Sequence, residues 1–229
     1  MDKKIILNVK NLCVSLGGEE ILKNLSFSVY EDEVLAILGP NGGGKTTLLK
    51  ALLNIVPYKG EIKWKENIKI GYVPQRLNQI KDVPLNIKEF FELEDIKTEE
   101  TLNILKILGL NEDVLFKKIN ELSSGQFQRI LIGWSIAKDP EVLLFDEPLT
   151  GIDIGGQETV YNLLAKLKKE KKFTIIFVTH ELSIVHKLAD NVLCLNKEML
   201  CHSTPETILD PEVLSRLYSE EIKFYHHTH

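Results

Sequence analysis

One stretch limits the fold of this chain more than any other: Gly39-Pro40-Asn41-Gly42-Gly43-Gly44-Lys45-Thr46, which reads GxxxxGK[ST]. It stands between the apolar run Val34–Leu38 and a segment whose Leu48, Leu49, Leu52, Leu53 and Val56 follow helical spacing. A strand that turns through glycines into a helix aims several backbone N–H groups, and the positive end of the helix dipole, at one point. Such a point is a cradle for phosphate. Lys45 is then positioned for the β- and γ-phosphates of a nucleotide, the Thr46 hydroxyl for Mg²⁺, and Thr47 for the α-phosphate. The competing account, a glycine turn with a solvated lysine, leaves the correct flanks on both sides unexplained.

A second segment matches the first in kind. Residues 142–145 are apolar and end in Asp146-Glu147, with Pro148 stopping the run. An apolar parallel strand delivers its C-terminal end to the ligand crevice of an α/β sheet. Asp146 is expected to hold the Mg²⁺ shell there, and Glu147 to polarise an attacking water as general base. The rest of the chain fits an α/β core. Strands are expected at 5–9, 25–30, 61–64, 68–73 and 173–178, with a glycine turn at Gly17-Gly18. Helices are expected at 45–56 and 156–171, and mostly helical pattern over 84–138. A hairpin about Asn196-Lys197 and a helix opened by Thr204 and Pro205 follow. The sequence therefore predicts an α/β core with an all-α insertion over about 76–139.

Composition removes several classes. Of 229 residues, 44% are apolar and 27% charged, so global disorder, collagen and coiled coil fit poorly. Asp and Glu (33) outnumber Lys and Arg (28), and a net charge of −5 argues against a dedicated nucleic-acid binder. No apolar run approaches the roughly 18 residues of a membrane helix, and Ile5-Ile6-Leu7, ending at polar Asn8, is too short for a signal-peptide core. The three cysteines, Cys13, Cys194 and Cys201, form no CxxC pair, so reduced thiols are expected.

Further motifs carry a family resemblance. Leu122-Ser123-Ser124-Gly125-Gln126 resembles the LSGGQ signature of ABC-type ATPases, and it precedes the Asp146-Glu147 strand as in that family. Gln75 resembles the Q-loop glutamine, Thr150-Gly151-Ile152-Asp153 the D-loop, and His180 the switch histidine. The resemblance spans nearly the whole chain. It implies a P-loop NTPase core of the ABC ATPase type with an antiparallel β subdomain and an inserted α-helical subdomain. In that reading 1–75 and 140–229 form the catalytic core and 76–139 the helical signature subdomain of a single domain. It further implies ATP and Mg²⁺ as cofactors, with catalytic roles for Glu147, His180 and Gln75, and metal contacts from Thr46, Gln75 and Asp146. Nucleotide contacts fall to Gly39 through Thr47, to Asp153 and to Ser123, Ser124, Gly125 and Gln126, the last four acting on ATP held by a second copy. Physically, Ser123 opens a helix, which is an anion site of its own.

Two departures stand out. Ser124 occupies a position where glycine is usual. By alignment of Val14-Ser15-Leu16-Gly17-Gly18, Leu16 replaces the aromatic residue that stacks on adenine.

The resemblance also implies partners. They are a homodimer formed on ATP binding, integral membrane permease subunits and, indirectly, an extracytoplasmic substrate-binding protein, with no nucleic acid. The location implied is peripheral, on the cytoplasmic face of the inner membrane. Phe90, Phe91 and Leu93 are candidates for the permease groove or for the core of the helical region. The Gly-Gly-Gly-Lys form of the loop and the run Glu147-Pro148-Leu149-Thr150-Gly151-Ile152-Asp153 resemble zinc/manganese-type metal uptake ATPases. Three of six histidines, His226, His227 and His229, lie in the last four residues and point to a metal-sensing tail, with water, Cys201, His202 or the tail of a second copy as a further ligand. An importer of another cargo, iron-siderophore or haem, is the alternative. A DNA-maintenance ATPase is the rival, but about 77 residues between Lys45 and Leu122 leave no room for its long coiled-coil arm.

Overall fold

Gly17 and Gly18, both at positive φ (59° and 86°), close a long antiparallel hairpin of β1 (Ile5–Leu16) and β2 (Glu19–Tyr30). A third strand, β4 (Lys59–Trp64), pairs with the other edge of β1, giving the order β2-β1-β4. Leu7, Val9, Leu12 and Val14 of β1 and Leu22, Leu25, Phe27 and Val29 of β2 are buried. Both strands run well past the expected 5–9 and 25–30. The alternation breaks at Lys10-Asn11 and Lys23-Asn24, where Asn11 and Asn24 take left-handed φ (49° and 50°) and the register shifts. Pairing resumes beyond these bulges, which the period-two pattern does not reveal.

The computed structural model describes residues 4–75, 83–149, 152–208 and 211–218, and the chain divides into two compact units, 1–68 with 173–229, and 69–172. The first unit contains the three-stranded sheet and a parallel group. Within that group β3 (Val34–Leu38) lies between β7 (Thr174–Thr179) and β8 (Asn191–Asn196), parallel to both. Every residue of β3 and β7 is buried, which is why both read as unbroken apolar runs. The hairpin partner β9 (Glu198–Ser203) is antiparallel to β8. Helix α1 (Lys45–Leu52) ends four residues before the expected limit. Asn54 adopts φ 57°, and the N–H groups of Asn54 and Ile55 close back on the carbonyls of Ala51 and Lys50 at 2.9 and 2.8 Å, a left-handed C-terminal cap. Trp64 Nε1 donates to the Leu52 carbonyl at 2.9 Å and satisfies another end group. The short helices α6 (Leu182–Leu188), α7 (Pro205–Ile208) and α8 (Pro211–Leu217) complete this unit.

The second unit pairs β5 (Ile70–Val73) in parallel with β6 (Val142–Asp146) and adds helices α2 (Ile87–Glu92), α3 (Thr98–Ile107), α4 (Ser124–Ile136) and α5 (Ile154–Lys171). Phe90 and Phe91 are buried in it, and Phe90 stacks on Trp134 with ring centroids 5.7 Å apart. These two phenylalanines are therefore core residues. Leu93, one turn on, is 65% exposed. At Gly133 a Cβ would lie 2.6 Å from Leu108 Cδ1 and 2.7 Å from Ile104 Cγ2, so this glycine lets α4 pack closely against those side chains.

The cysteines differ from the expectation. Cys194 and Cys201 are joined by a disulfide, while Cys13 keeps a free thiol whose sulfur accepts the Asn24 N–H. The turn folds the seven-residue separation back on itself, so the two stand in register on β8 and β9 with Cα atoms 4.9 Å apart. Among the described residues, no helix is long and apolar enough to cross a membrane.

Candidate nucleotide site

The phosphate loop begins where β3 surfaces and ends at the first turn of α1. Its shape is enforced by crowding. A Cβ on Gly39 would sit 2.0 Å from the backbone oxygen of Leu195, and one on Gly44 would sit 2.5 Å from Leu22 Cδ2, at a residue whose φ is already 91°. At Gly39 a side chain would have to displace backbone, and at Gly44 it would have to displace the Leu22 side chain and adopt a left-handed φ that L residues rarely take. The Gly43 N–H donates to the Pro40 carbonyl at 3.1 Å, and the Lys197 N–H donates to the Gly43 carbonyl at 3.0 Å. Lys45 is 5% exposed. Its Nζ donates to the carbonyls of Gly39 and Pro40, both at 2.9 Å, and these hold the ammonium against the loop. A buried cation at a helix N-terminus is an arrangement that stabilises a polyanion. Thr46 and Thr47 follow on the same turn and are partly exposed, and Gly42 and Asn41 face solvent.

Two more predicted residues belong to this unit. Leu16 ends β1, paired with Glu19 and 38% exposed. His180 is exposed and follows β7 directly, where Thr179 Oγ1 accepts the Glu181 N–H at 3.0 Å and turns the chain.

In the second unit, β6 carries Asp146 to its end with 2% exposure. The neighbouring Tyr72, half-buried on β5, has its phenol pushed up to about 12 by burial and then by the Asp146 charge, so it stays protonated. Glu147 takes φ 49°, a left-handed backbone uncommon outside glycine, and Pro148 bars it from the right-handed helical region. Strain of this kind at an acid beside a buried carboxylate is typical of functional positions. Gln75 Nε2 donates to Glu147 Oε2 at 2.6 Å, so β5 and β6 bring these two predicted residues together. Asp146 and Gln75 offer oxygen ligands, of the type that suits a hard cation such as Mg²⁺.

The signature segment starts α4. Ser123 Oγ accepts the Gln126 N–H at 3.2 Å, and Gln126 Oε1 accepts the Ser123 N–H at 3.1 Å, a reciprocal capping box. Ser123 and Ser124 are exposed and Gly125 is partly so. A Cβ on Gly125 would meet Ile152 only at an ordinary 3.6 Å, so space does not demand glycine there. Asp153 is exposed and begins α5. Thr150, Gly151 and the histidine tail lie outside the described residues. Cys201, named as a further ligand for that tail, is tied up in the disulfide, and partial desolvation lowers the basicity of the exposed His202.

Sequence reasoning placed the β8–β9 hairpin about Asn196-Lys197, as observed, but missed its contact with the phosphate loop. Leu195 and Lys197 act through backbone atoms, so their side chains carry no signal. The only trace was the glycine at positions 39 and 43, where a neighbour's backbone comes close. The Gln75–Glu147 bond was likewise hidden, since nothing in the spacing joins residues 72 apart.

A glycine cradle at the end of a buried parallel strand, a buried lysine and an acidic strand end define a P-loop ATPase. Residues 22–150 match the ABC transporter family, and the chain belongs to it as a subunit that hydrolyses ATP. It is 34% identical over 232 residues to a zinc import ATP-binding protein of Buchnera aphidicola, covering 97% of this chain and 96% of that one. With the zinc import ATP-binding protein of Hydrogenovibrio crunogenus it shares 32% identity over 240 residues, covering 98% and 93%. A Thermotoga maritima protein named "Probable metal transport system ATP-binding protein" is 38% identical over 225 residues, covering 94% and 91%. Among solved structures, an ABC transporter assigned to the metal-chelate type, in an inward-facing conformation, aligns with a TM-score of 0.84 at 29% identity over 94% of this chain and 89% of that one.

Proposed function

We propose that this chain is the ATP-hydrolysing subunit of an importer for divalent metal ions, zinc or manganese. The observation that carries the cargo is end-to-end similarity to relatives named for zinc import and metal transport. In this reading, Gly39 through Gly44 wrap the phosphates with backbone N–H groups, Lys45 neutralises the β- and γ-phosphates, and Thr47 meets the α-phosphate. Thr46, Asp146 and Gln75 would hold Mg²⁺, which would supply charge neutralisation on the phosphate oxygens. Glu147 takes the proton of the attacking water. Its bond to Gln75 orients the carboxylate, and His180 contacts the γ-phosphate. Ser123, Ser124, Gly125, Gln126 and Asp153 serve the ATP of a second copy, so that two chains enclose two nucleotides.

The implied partner is a membrane permease, and the chain works as a peripheral subunit on the cytoplasmic face. Within the second unit a cavity of about 670 Å³ is lined by Lys69, Tyr72, Glu94, Trp134 and Lys138, next in sequence to the exposed Leu93. It has the size and the mixed apolar and charged lining of a seat for a permease loop. ATPase activity is expected to rise with vesicles that carry the permease and to be unmoved by DNA. Stimulation by DNA alone would support the chromosomal reading instead.

Leu16 marks an adenine site without an aromatic face. Leu16→Tyr is expected to tighten ATP binding by at most about 1–3 kcal/mol, by analogy with base stacking. Calorimetric titration measures this, and unchanged affinity would move the adenine to other residues.

A further inference from the structure

The turn behind the phosphate loop is held from several sides. The Leu195 carbonyl fills the space a side chain would need at Gly39 and Gly43, and the Lys197 N–H donates to Gly43. On its other side the turn is tied to β2: the Lys23 N–H donates to the Lys197 carbonyl at 2.8 Å, and Lys23 pairs with Glu198. One residue before Leu195 stands Cys194, fully buried and bonded to the half-buried Cys201 across the hairpin. Cys194 also lies in register with Leu38, the last residue of β3 before the loop. The bond thus joins β8 and β9 immediately behind the contacts that shape the nucleotide cradle.

We propose that Cys194 and Cys201 form a reversible thiol–disulfide couple that sets how firmly this hairpin backs the phosphate loop, the oxidised chain binding ATP more tightly. The inference rests on the loop being the ATP site. Disulfides facing a reducing cytosol are usually transient and redox-sensing, so a subunit working there would use this bond as a switch. The chemistry is thiol–disulfide exchange with a cellular thiol. A thiolate attacks Cys201 Sγ, the more accessible sulfur, the S–S bond breaks, and Cys194 leaves as a thiolate and takes a proton. A second thiolate attacks the mixed disulfide, Cys201 leaves and is protonated, and the two spent thiols depart as one disulfide. Two electrons pass from the two thiols to the chain, and an oxidised dithiol or a small disulfide reverses the sequence. Breaking the bond frees the turn, and ATP binding must then remove that extra freedom.

The test titrates a non-hydrolysable ATP analogue into the full-length chain, oxidised and reduced, with thiols counted after unfolding. One reactive thiol, that of Cys13, is expected in the oxidised chain and all three in the reduced chain. The oxidised chain should bind about fivefold tighter or more, in the range of ordinary coupling. Cys201→Ser, which keeps the buried Cys194, should bind like the reduced chain under both conditions. Three reactive thiols in the oxidised sample, equal affinities, or a redox difference that survives Cys201→Ser would each overturn the couple while leaving the ATP site intact. Binding by neither form would overturn the ATP site and the couple with it.

Discussion

Glu147→Gln is expected to bind ATP and to lose turnover by about 10²–10⁴-fold, the usual cost of removing a general base. The amide has nearly the shape of the carboxylate and keeps an oxygen to accept from Gln75 Nε2, so the arrangement at the end of β6 survives. What it loses is the capacity to take a proton from water. The left-handed backbone at residue 147, followed by Pro148, is set by the chain path and is indifferent to this exchange. A phosphate-release assay measures the loss. With hydrolysis blocked, ATP is also expected to hold two copies together, and light scattering should report a doubled mass. Near-normal hydrolysis would remove Glu147 from the role.

Lys45→Ala is expected to be as severe by another route. Its ammonium is buried and held by the carbonyls of Gly39 and Pro40, so the substitution removes the loop's buried cation and takes one donor from each carbonyl, Pro40 keeping the Gly43 N–H. Loss of one preorganised electrostatic contact of this type lowers kcat by about 10²–10³-fold. Nucleotide titration and steady-state kinetics should both show it. A melting curve guards against a trivial cause, because Gly39, Gly43 and Gly44 keep their packing against Leu195 and Leu22 whatever stands at position 45. Lys45→Arg is not expected to rescue, since a planar guanidinium cannot replace a compact ammonium between two carbonyls.

Much of this site could be read before any coordinates, because its chemistry is local. The phosphate loop, its flanking strand and helix, and the acid pair at a strand end each fit within a dozen residues. Their order along the chain, with the Ser123–Gln126 segment between them, carried the family resemblance. Elements whose cause is non-local were misjudged. The hairpin strands β1 and β2 were cut short because their bulges at Asn11 and Asn24 interrupt the alternation but not the pairing. Helix α1 was drawn too long because Val56 fits the helical spacing, while the stop is set by Asn54 in a left-handed cap. The disulfide escaped notice because seven residues of separation reveal nothing until the turn puts Cys194 opposite Cys201. Phe90 and Phe91 could be assigned to the core only from burial, since an apolar stripe looks alike whether it faces a core or a partner.

The central claim is that ATP hydrolysis by this chain drives metal import. It is tested most directly by uptake of radioactive zinc and manganese into cells whose only copy of the subunit is wild type or Glu147→Gln. The account predicts ATP-dependent accumulation of one of the two metals with the wild-type chain and none above background with Glu147→Gln. Equal accumulation of both metals with the two chains would contradict it.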